Sequence, residues 1–164
     1  IPCILIGSLS FSNIIIFQEN NWIIFYPVLG QLSFIIFMIS ALAEGNRIPF
    51  DLSEAESELI SGYTTEYSGI KFALFYLAEY VHLFGICVLA SIIFFGGPNG
   101  PFFTSNILIV IKALMFFTLI LFIRWSFFRV RIDQLLKFNW IKLIPLSFIG
   151  LLLACIVKYY LDFN

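Results

Sequence analysis

The chain has 164 residues and a formal net charge of −1; 61% of the residues are hydrophobic, 19% aromatic and 12% charged, with a mean hydropathy of +1.01. A soluble domain carries about 25% charged residues, so this proportion leaves too little polar surface to cover a globule in water and points to a bilayer as the solvent. The charges are clustered, and no basic run with interleaved aromatics is present, which argues against a nucleic-acid partner.

In chain order, residues 1–17 are interrupted by Gly7-Ser8-Leu9-Ser10 and by Ser12-Asn13. They read as the end of one spanning helix, a turn and an interfacial stretch. A spanning helix needs about 20 mostly apolar residues. Trp22–Ala43, Phe72–Phe95, Asn106–Ile123 and Ile141–Leu161 meet that requirement. The last contains Pro145 near its expected start, where a missing N–H costs least, and ends in the interfacial anchors Lys158, Tyr159 and Tyr160. The expected fold class is therefore all-α: a polytopic integral membrane protein with four full transmembrane helices plus the end of another at the N-terminus, forming a single membrane domain over residues 1–164. Cys3, Cys87 and Cys155 each sit in an apolar stretch without metal-ligand spacing and read as small buried hydrophobes.

The connections differ in character. Residues 44–70 hold six carboxylates and one arginine, the Gly96–Pro101 connection is uncharged, and residues 124–142 hold Arg124, Arg129, Arg131, Lys137 and Lys142 against Asp133. By parity the acidic and basic loops share one side of the membrane, and the excess of Lys and Arg puts that side in the cytoplasm or matrix. The opposite side reads as almost bare, so polar work is expected on one face only.

The acidic connection is the most informative stretch. Asp51 suits an N-cap with Glu54 completing a capping box, a short helix is expected from Leu52 to about Ser61, and Gly62 suits its end. Helix-dipole complementation accounts for Asp51 and Glu54. It leaves Glu56, Glu58, Glu44 and Glu66 unexplained, and such crowded carboxylates are suited to holding and passing protons; a plain solvated acidic loop is the alternative. Glu79 lies about eight residues, roughly 12 Å, into a spanning helix. A carboxylate there costs about 2.5–3.5 kcal/mol on insertion scales. His82, one turn later on the same face, is one candidate hydrogen-bond partner, and Lys112 on the next helix, another intramembrane charge, is the other candidate for a neutralised pair. Either a neutralised structural pair or a charge relay would fit. Arg124, Arg129, Arg131 and Asp133 at a helix exit fit topology and lipid headgroup contact. There is one histidine, no Ser/His/Asp set and no Gly-rich phosphate loop between a strand and a helix. Redox chemistry is therefore expected on other chains.

The run Ala43-Glu44-Gly45-Asn46-Arg47-Ile48-Pro49-Phe50-Asp51-Leu52, followed by Glu54-Ala55-Glu56-Ser57-Glu58-Leu59, Glu66-Tyr67 and Ala78-Glu79-Tyr80, resembles the signature of subunit 1 of proton-pumping NADH:quinone oxidoreductase, respiratory complex I. Arg124 and Arg129-Val130-Arg131-Ile132-Asp133-Gln134-Leu135 resemble that family's last matrix loop. The resemblance covers nearly the whole chain and is to the C-terminal half of the subunit. It implies a core membrane subunit that is itself non-redox and helps enclose a quinone cavity, with ubiquinone as substrate and FMN and iron–sulfur clusters in partner subunits. It also implies that Arg47, Asp51, Glu54, Glu56, Glu58 and Glu66 belong to the quinone cavity and coupling loop. Glu44, Glu79 and Tyr80 would lie on the proton or charge path, to which the intramembrane Lys112 is added. Arg124, Arg129, Arg131 and Asp133 would form a basic matrix loop. Other complex I subunits, among them a separate chain carrying the N-terminal half, and membrane lipids are the expected partners. The 21 Phe residues suggest an A+T-rich coding genome, and with the resemblance they place the expected site in the mitochondrial inner membrane.

Two departures from the family pattern stand out. Gly45 replaces a small hydroxyl or amide residue, which leaves more backbone freedom after Glu44. Phe127-Phe128 precedes Arg129 where a proline is usual. The competing readings are the homologous subunit of a membrane-bound hydrogenase, an ion transporter or channel fragment using Glu79 and Lys112, and a structural assembly subunit. A transporter should show inverted repeats, and none is evident between the halves of the chain.

Overall fold

The computed structural model describes residues 1–19, 21–45, 47, 49–50, 67–100 and 104–163, the last three by their backbone alone. The expected helix over 52–61, with Asp51, Glu54, Glu56, Glu58, Gly62 and Glu66, lies outside the described residues.

The chain is an all-α polytopic membrane protein. Its helices are α1 (Pro2–Ile6), α2 (Phe11–Phe17), α3 (Leu29–Glu44), α4 (Ile70–Phe95), α5 (Asn106–Ser126), α6 (Ile132–Phe138) and α7 (Ile144–Phe163), with a 3-10 turn at Ile23–Phe25. Three helical stretches, Ile70–Phe95, Asn106–Ser126 and Ile132–Tyr160, are long and apolar enough to cross a membrane, and Leu29–Glu44 is a shorter apolar helix. A 16-residue helix spans about 24 Å, somewhat short of a hydrocarbon core of roughly 30 Å.

The shortening has a local cause. The sequence pattern predicts a helix from Trp22, but Pro27 cannot donate to the preceding turn, and Val28 takes φ 63°, ψ −55° with Leu29 N–H donating to Pro27 O at 2.7 Å. That is a γ-turn centred on a β-branched residue, a strained arrangement. Helix α3 starts only after it. At the other end, Glu44 is the last helical residue and Gly45 caps it with φ −76°, so α3 stops before Pro49 can act. That φ is open to any residue, so the extra backbone freedom of Gly45 is not used.

The expected last span also begins earlier than its pattern predicts. The path is helical from Ile132, and Asn139–Leu143 forms a π-helical segment joining α6 to α7. Pro145 therefore lies well inside the span. Its ring presses on the carbonyl four residues back, Ile141, which falls within the widened π turn and so escapes the clash. The first segment is helical over α1, turns at the left-handed Gly7 at φ 80° and resumes as α2 after Ser10, so the turn falls where Gly7–Ser10 was expected to place it.

The main core lies where α3, α4 and α5 meet, around Met38, Leu42, Leu83, Cys87, Ala113 and Phe116. The small residues Cys87, Ala90 and Ala113 let α4 and α5 approach closely, the usual device where lipid offers no hydrophobic drive to helix association. Of the three cysteines only Cys87 is buried as expected; Cys3 is half-buried and Cys155 lies on the exposed face of α7. Phe34, Phe94, Phe95 and Phe116 interlock across the same seam with ring centroids 4.9–5.7 Å apart. A second cluster, Leu5, Leu29 and Ala154, joins α1, α3 and α7.

Gly30 is the tightest point of the 3-10/α3 junction, because a Cβ there would overlap the carbonyl oxygen of Ile23. Backbone cannot yield as a side chain does, so Gly30→Ala is expected to destabilise the protein by about 3 kcal/mol. Gly85, with open space around it, should accept Ala with no loss. Thermal inactivation of membranes carrying each variant tests the contrast, and equal behaviour of the two would contradict the packing described.

Candidate functional site

Two groups of polar side chains are built into the membrane region, one at each end of α4. The first lies at the end that carries the charged loops. Helix α3 delivers Glu44 in its last turn, and Arg47 follows two residues after the Gly45 cap, its N–H donating to Leu42 O at 3.3 Å. Glu79 is nine residues from the start of α4, roughly 13 Å along the helix. Gly45 sits against the same helix, since a Cβ there would lie 3.7 Å from Leu83 Cδ1.

The Arg47 side chain is 5% exposed and that of Glu79 31% exposed, with Nη2 of the guanidinium 3.4 Å from Oε2 of the carboxylate. The approach is an ion pair without hydrogen-bond alignment, and Nη2 makes no hydrogen bond among the described residues. The guanidinium carbon also lies 4.6 Å from the centroid of the Tyr80 ring. A planar cation can meet a carboxylate and cover an aromatic face together, which a lysine ammonium does less well. Glu79 thus pairs with Arg47, a partner that spacing along α4 alone does not suggest. The imidazole of His82 instead stands 3.9 Å from Oε1 of Glu44. The difference follows from helix geometry: residues three apart are neighbours on a helix face, but Arg47 enters from a different segment and occupies the carboxylate first.

The basic loop lies at the same end. Arg124 is in the last turn of α5, where its charge complements the helix dipole, and Asp133 is in the first turn of α6. Phe127 is extended, and the non-helical 127–131 loop is pinned by Val130 N–H donating to Pro49 O at 3.0 Å. Arg129 is half-buried, while Arg131 and Asp133 are exposed.

Lys112 does not join this group. It belongs to the opposite end of α4, about 24 Å away along the helix by the rise from Glu79 to Phe95. Its Nζ donates to Phe95 O, Gly97 O and Asn99 O at 2.6, 2.9 and 2.7 Å, and lies 4.8 Å from the Trp22 ring centroid. Beside it Gln18, with no exposed surface, donates to Ile92 O and Ile93 O at 3.0 and 3.1 Å and accepts from Gly96 N–H and Ile23 N–H at 3.0 and 3.2 Å. Asn99 donates to Ile15 O at 3.0 Å. The side that reads as bare is therefore a closed polar joint that carries few charges in its loops. Gly96 completes it: at φ 68° it ends α4 in the left-handed conformation, and Gly97 N–H donates back to Ser91 O at 3.0 Å, six residues earlier.

Sequence reasoning missed Gln18 altogether. The available signal was an amide directly after the apolar run Ile14–Phe17, which must find partners wherever it is buried.

Residues 1–155 match the profile of the family described as NADH dehydrogenase. Among curated proteins, the chain is 44% identical over 159 residues to a subunit of the NADH-quinone oxidoreductase of Bacillus thuringiensis, and 45% identical over 159 residues to the same-named subunit of Bacillus cytotoxicus. Each alignment covers 94% of this chain and 47% of the relative. The chain therefore spans about half the length of the curated relatives it matches, and it belongs to the NADH dehydrogenase family, as its Glu44–Leu59 and Glu79–Tyr80 motifs imply.

Proposed function

We propose that the chain acts within a proton-translocating NADH:ubiquinone oxidoreductase as a membrane subunit with no redox centre of its own. It would couple the arrival and reduction of quinone to movement of charge in the membrane. The observation that carries this reading is the Arg47–Glu79 ion pair, with Tyr80 under the guanidinium. The pair ties the segment after α3 directly to a carboxylate of α4, so a movement of either is felt by the other.

In this reading Asp51, Glu54, Glu56, Glu58 and Glu66 face the quinone cavity and change protonation as quinone is reduced. Arg47, Glu79 and Glu44 then carry the change inward, while Arg124, Arg129, Arg131 and Asp133 support the cavity from the same side. The flavin and iron–sulfur centres would lie in partner subunits, with ubiquinone as the shared substrate. The relatives named above are bacterial. The Phe-rich composition favours an organellar genome and thus the mitochondrial inner membrane with the charged loops in the matrix. A hydrogenase subunit is the weaker reading, since the curated relatives carry the quinone oxidoreductase name.

Mild detergent extraction, native separation and mass spectrometry of co-migrating chains test the proposal. The expected result is co-migration with flavin- and iron–sulfur-bearing chains and with NADH:ubiquinone reductase activity. Migration alone, with transport proteins, or with a nickel-bearing hydrogenase chain would overturn it.

A further inference from the structure

Glu44 and Glu79 have separate partners. Arg47 engages Glu79, and Glu44 is left facing the imidazole of His82, Nε2 to Oε1 at 3.9 Å. Both residues line an open cavity of about 640 Å³ between α3 and α4, walled by Phe37, Ala41, Ile86 and Leu89. Their side chains are 50% and 70% exposed for His82 and Glu44.

The distance is too long for a direct hydrogen bond, yet one water or a small side-chain rotation would close it. Among the described residues, the charged and titratable groups on the elements near the imidazole are these. Helix α3 presents Glu44, and the segment after it presents Arg47, held by Glu79 and Tyr80. Helix α4 itself carries Lys71 in its first turn as well as Glu79 and Tyr80, and α5 carries Lys112, bound at the far end, and Arg124 in its last turn. Among the described residues, the one ion-pair partner of His82 is Glu44. Imidazole is the side chain whose ordinary titration range coincides with that of the working enzyme.

We propose that His82 is a proton-sharing partner of Glu44, so that the cavity between α3 and α4 holds its proton on a carboxylate–imidazole pair and not on a lone carboxylate. The step moves one proton from Glu44 Oε1 to His82 Nε2 and converts a neutral pair into an ion pair, with no electron transferred. The inference rests on the relay reading above and adds His82 to it as a residue that sets when Glu44 releases its proton.

The test uses the assembled complex in sealed vesicles, comparing wild type with His82→Gln, His82→Asn, Glu44→Gln and the Glu44→Gln/His82→Gln double variant. Quinone-linked turnover and proton uptake are measured from about pH 6 to 8, the range in which imidazole titrates, with NADH oxidation by ferricyanide as the integrity control. The expected result is loss of the wild-type pH limb in both His82 variants, and a double variant no more impaired than Glu44→Gln alone, as for residues acting as a unit. A wild-type pH profile in assembled His82 variants, or additive losses in the double variant, would overturn the proposal. So would failure of both His82 variants to assemble, which would assign the side chain to structure. Glu79→Gln separates the two levels. If it leaves coupled turnover intact, the relay reading itself falls; if it abolishes turnover while His82 variants keep the wild-type profile, only the present inference falls.

Discussion

Glu79→Gln is expected to abolish proton translocation and to lower quinone-linked turnover by at least about tenfold, the scale of 1.4 kcal/mol or more on the limiting step. NADH oxidation by artificial acceptors should be unchanged. Glutamine keeps the volume and one hydrogen-bonding oxygen but can neither ionise nor hold a mobile proton. The carboxylate sits about 13 Å into α4, where insertion scales put its cost at about 2.5–3.5 kcal/mol before pairing. Arg47, 3.4 Å away and nearly inaccessible, offsets that cost. A purely structural pair makes a further statement about the double variant. If the pair serves packing alone, Arg47→Met with Glu79→Gln should be milder than Arg47→Met alone, because the part-buried carboxylate no longer loses its ion-pair partner. A working relay predicts that the double variant stays inactive. Coupled turnover in the double variant, measured with proton uptake, would therefore return Glu79 to a structural role.

The helical class and its approximate spans were legible because hydropathy over 20 residues averages out local detail. Phe72–Phe95 and Asn106–Ile123 are expected from pattern, and the structure shows Ile70–Phe95 and Asn106–Ser126. The misreadings cluster at prolines. Pattern alone ran α3 through Pro27 to Trp22, whereas the γ-turn at Val28 breaks it. Pro145 was expected to mark a helix start, whereas the π segment at Asn139–Leu143 carries the helix past it. Hydropathy cannot see either feature, because both are satisfied by backbone geometry and not by side-chain type.

At the candidate site, residue types were legible and pairings were not. Glu44, Arg47, Glu79, Tyr80 and His82 were all noted from the sequence, but spacing along one helix favoured Glu79 with His82. The guanidinium of Arg47 arrives from outside α4 and separates them into two pairs. Contacts between segments are set by tertiary packing, which a single sequence with short-range rules does not encode explicitly. Gln18 shows the same limit more sharply: beside the nearby Ile14 and Ile23, its side chain meets Ile92, Ile93 and Gly96, more than 70 residues away along the chain.

Lys112→Met is expected to act on assembly and not on coupling. An ammonium has three donors and no acceptor, and all three are engaged by the carbonyls of Phe95, Gly97 and Asn99. Moving Lys112 would break these bonds in a region that offers no replacement among the described residues, so its role is read as structural. It closes the end of α4, where carbonyls are left unsatisfied by the helix and the dipole favours a cation. Each carbonyl stripped of a charged donor costs about 1–3 kcal/mol, so Lys112→Met should destabilise the joint by at least about 3 kcal/mol. Gln18→Leu, at the same joint, should produce a comparable loss and add little to Lys112→Met, because the two act on one seam between α2, α4 and α5. The measurement is the amount of assembled, membrane-bound protein and its thermal half-life, followed by the proton-to-electron ratio of whatever assembles. A reduced yield with a normal ratio is expected, and Lys112→Arg should recover part of the yield. Normal yield with a lost ratio would mean that Lys112 belongs to the charge path after all, and that the far end of α4 exchanges protons in spite of its saturated hydrogen bonds.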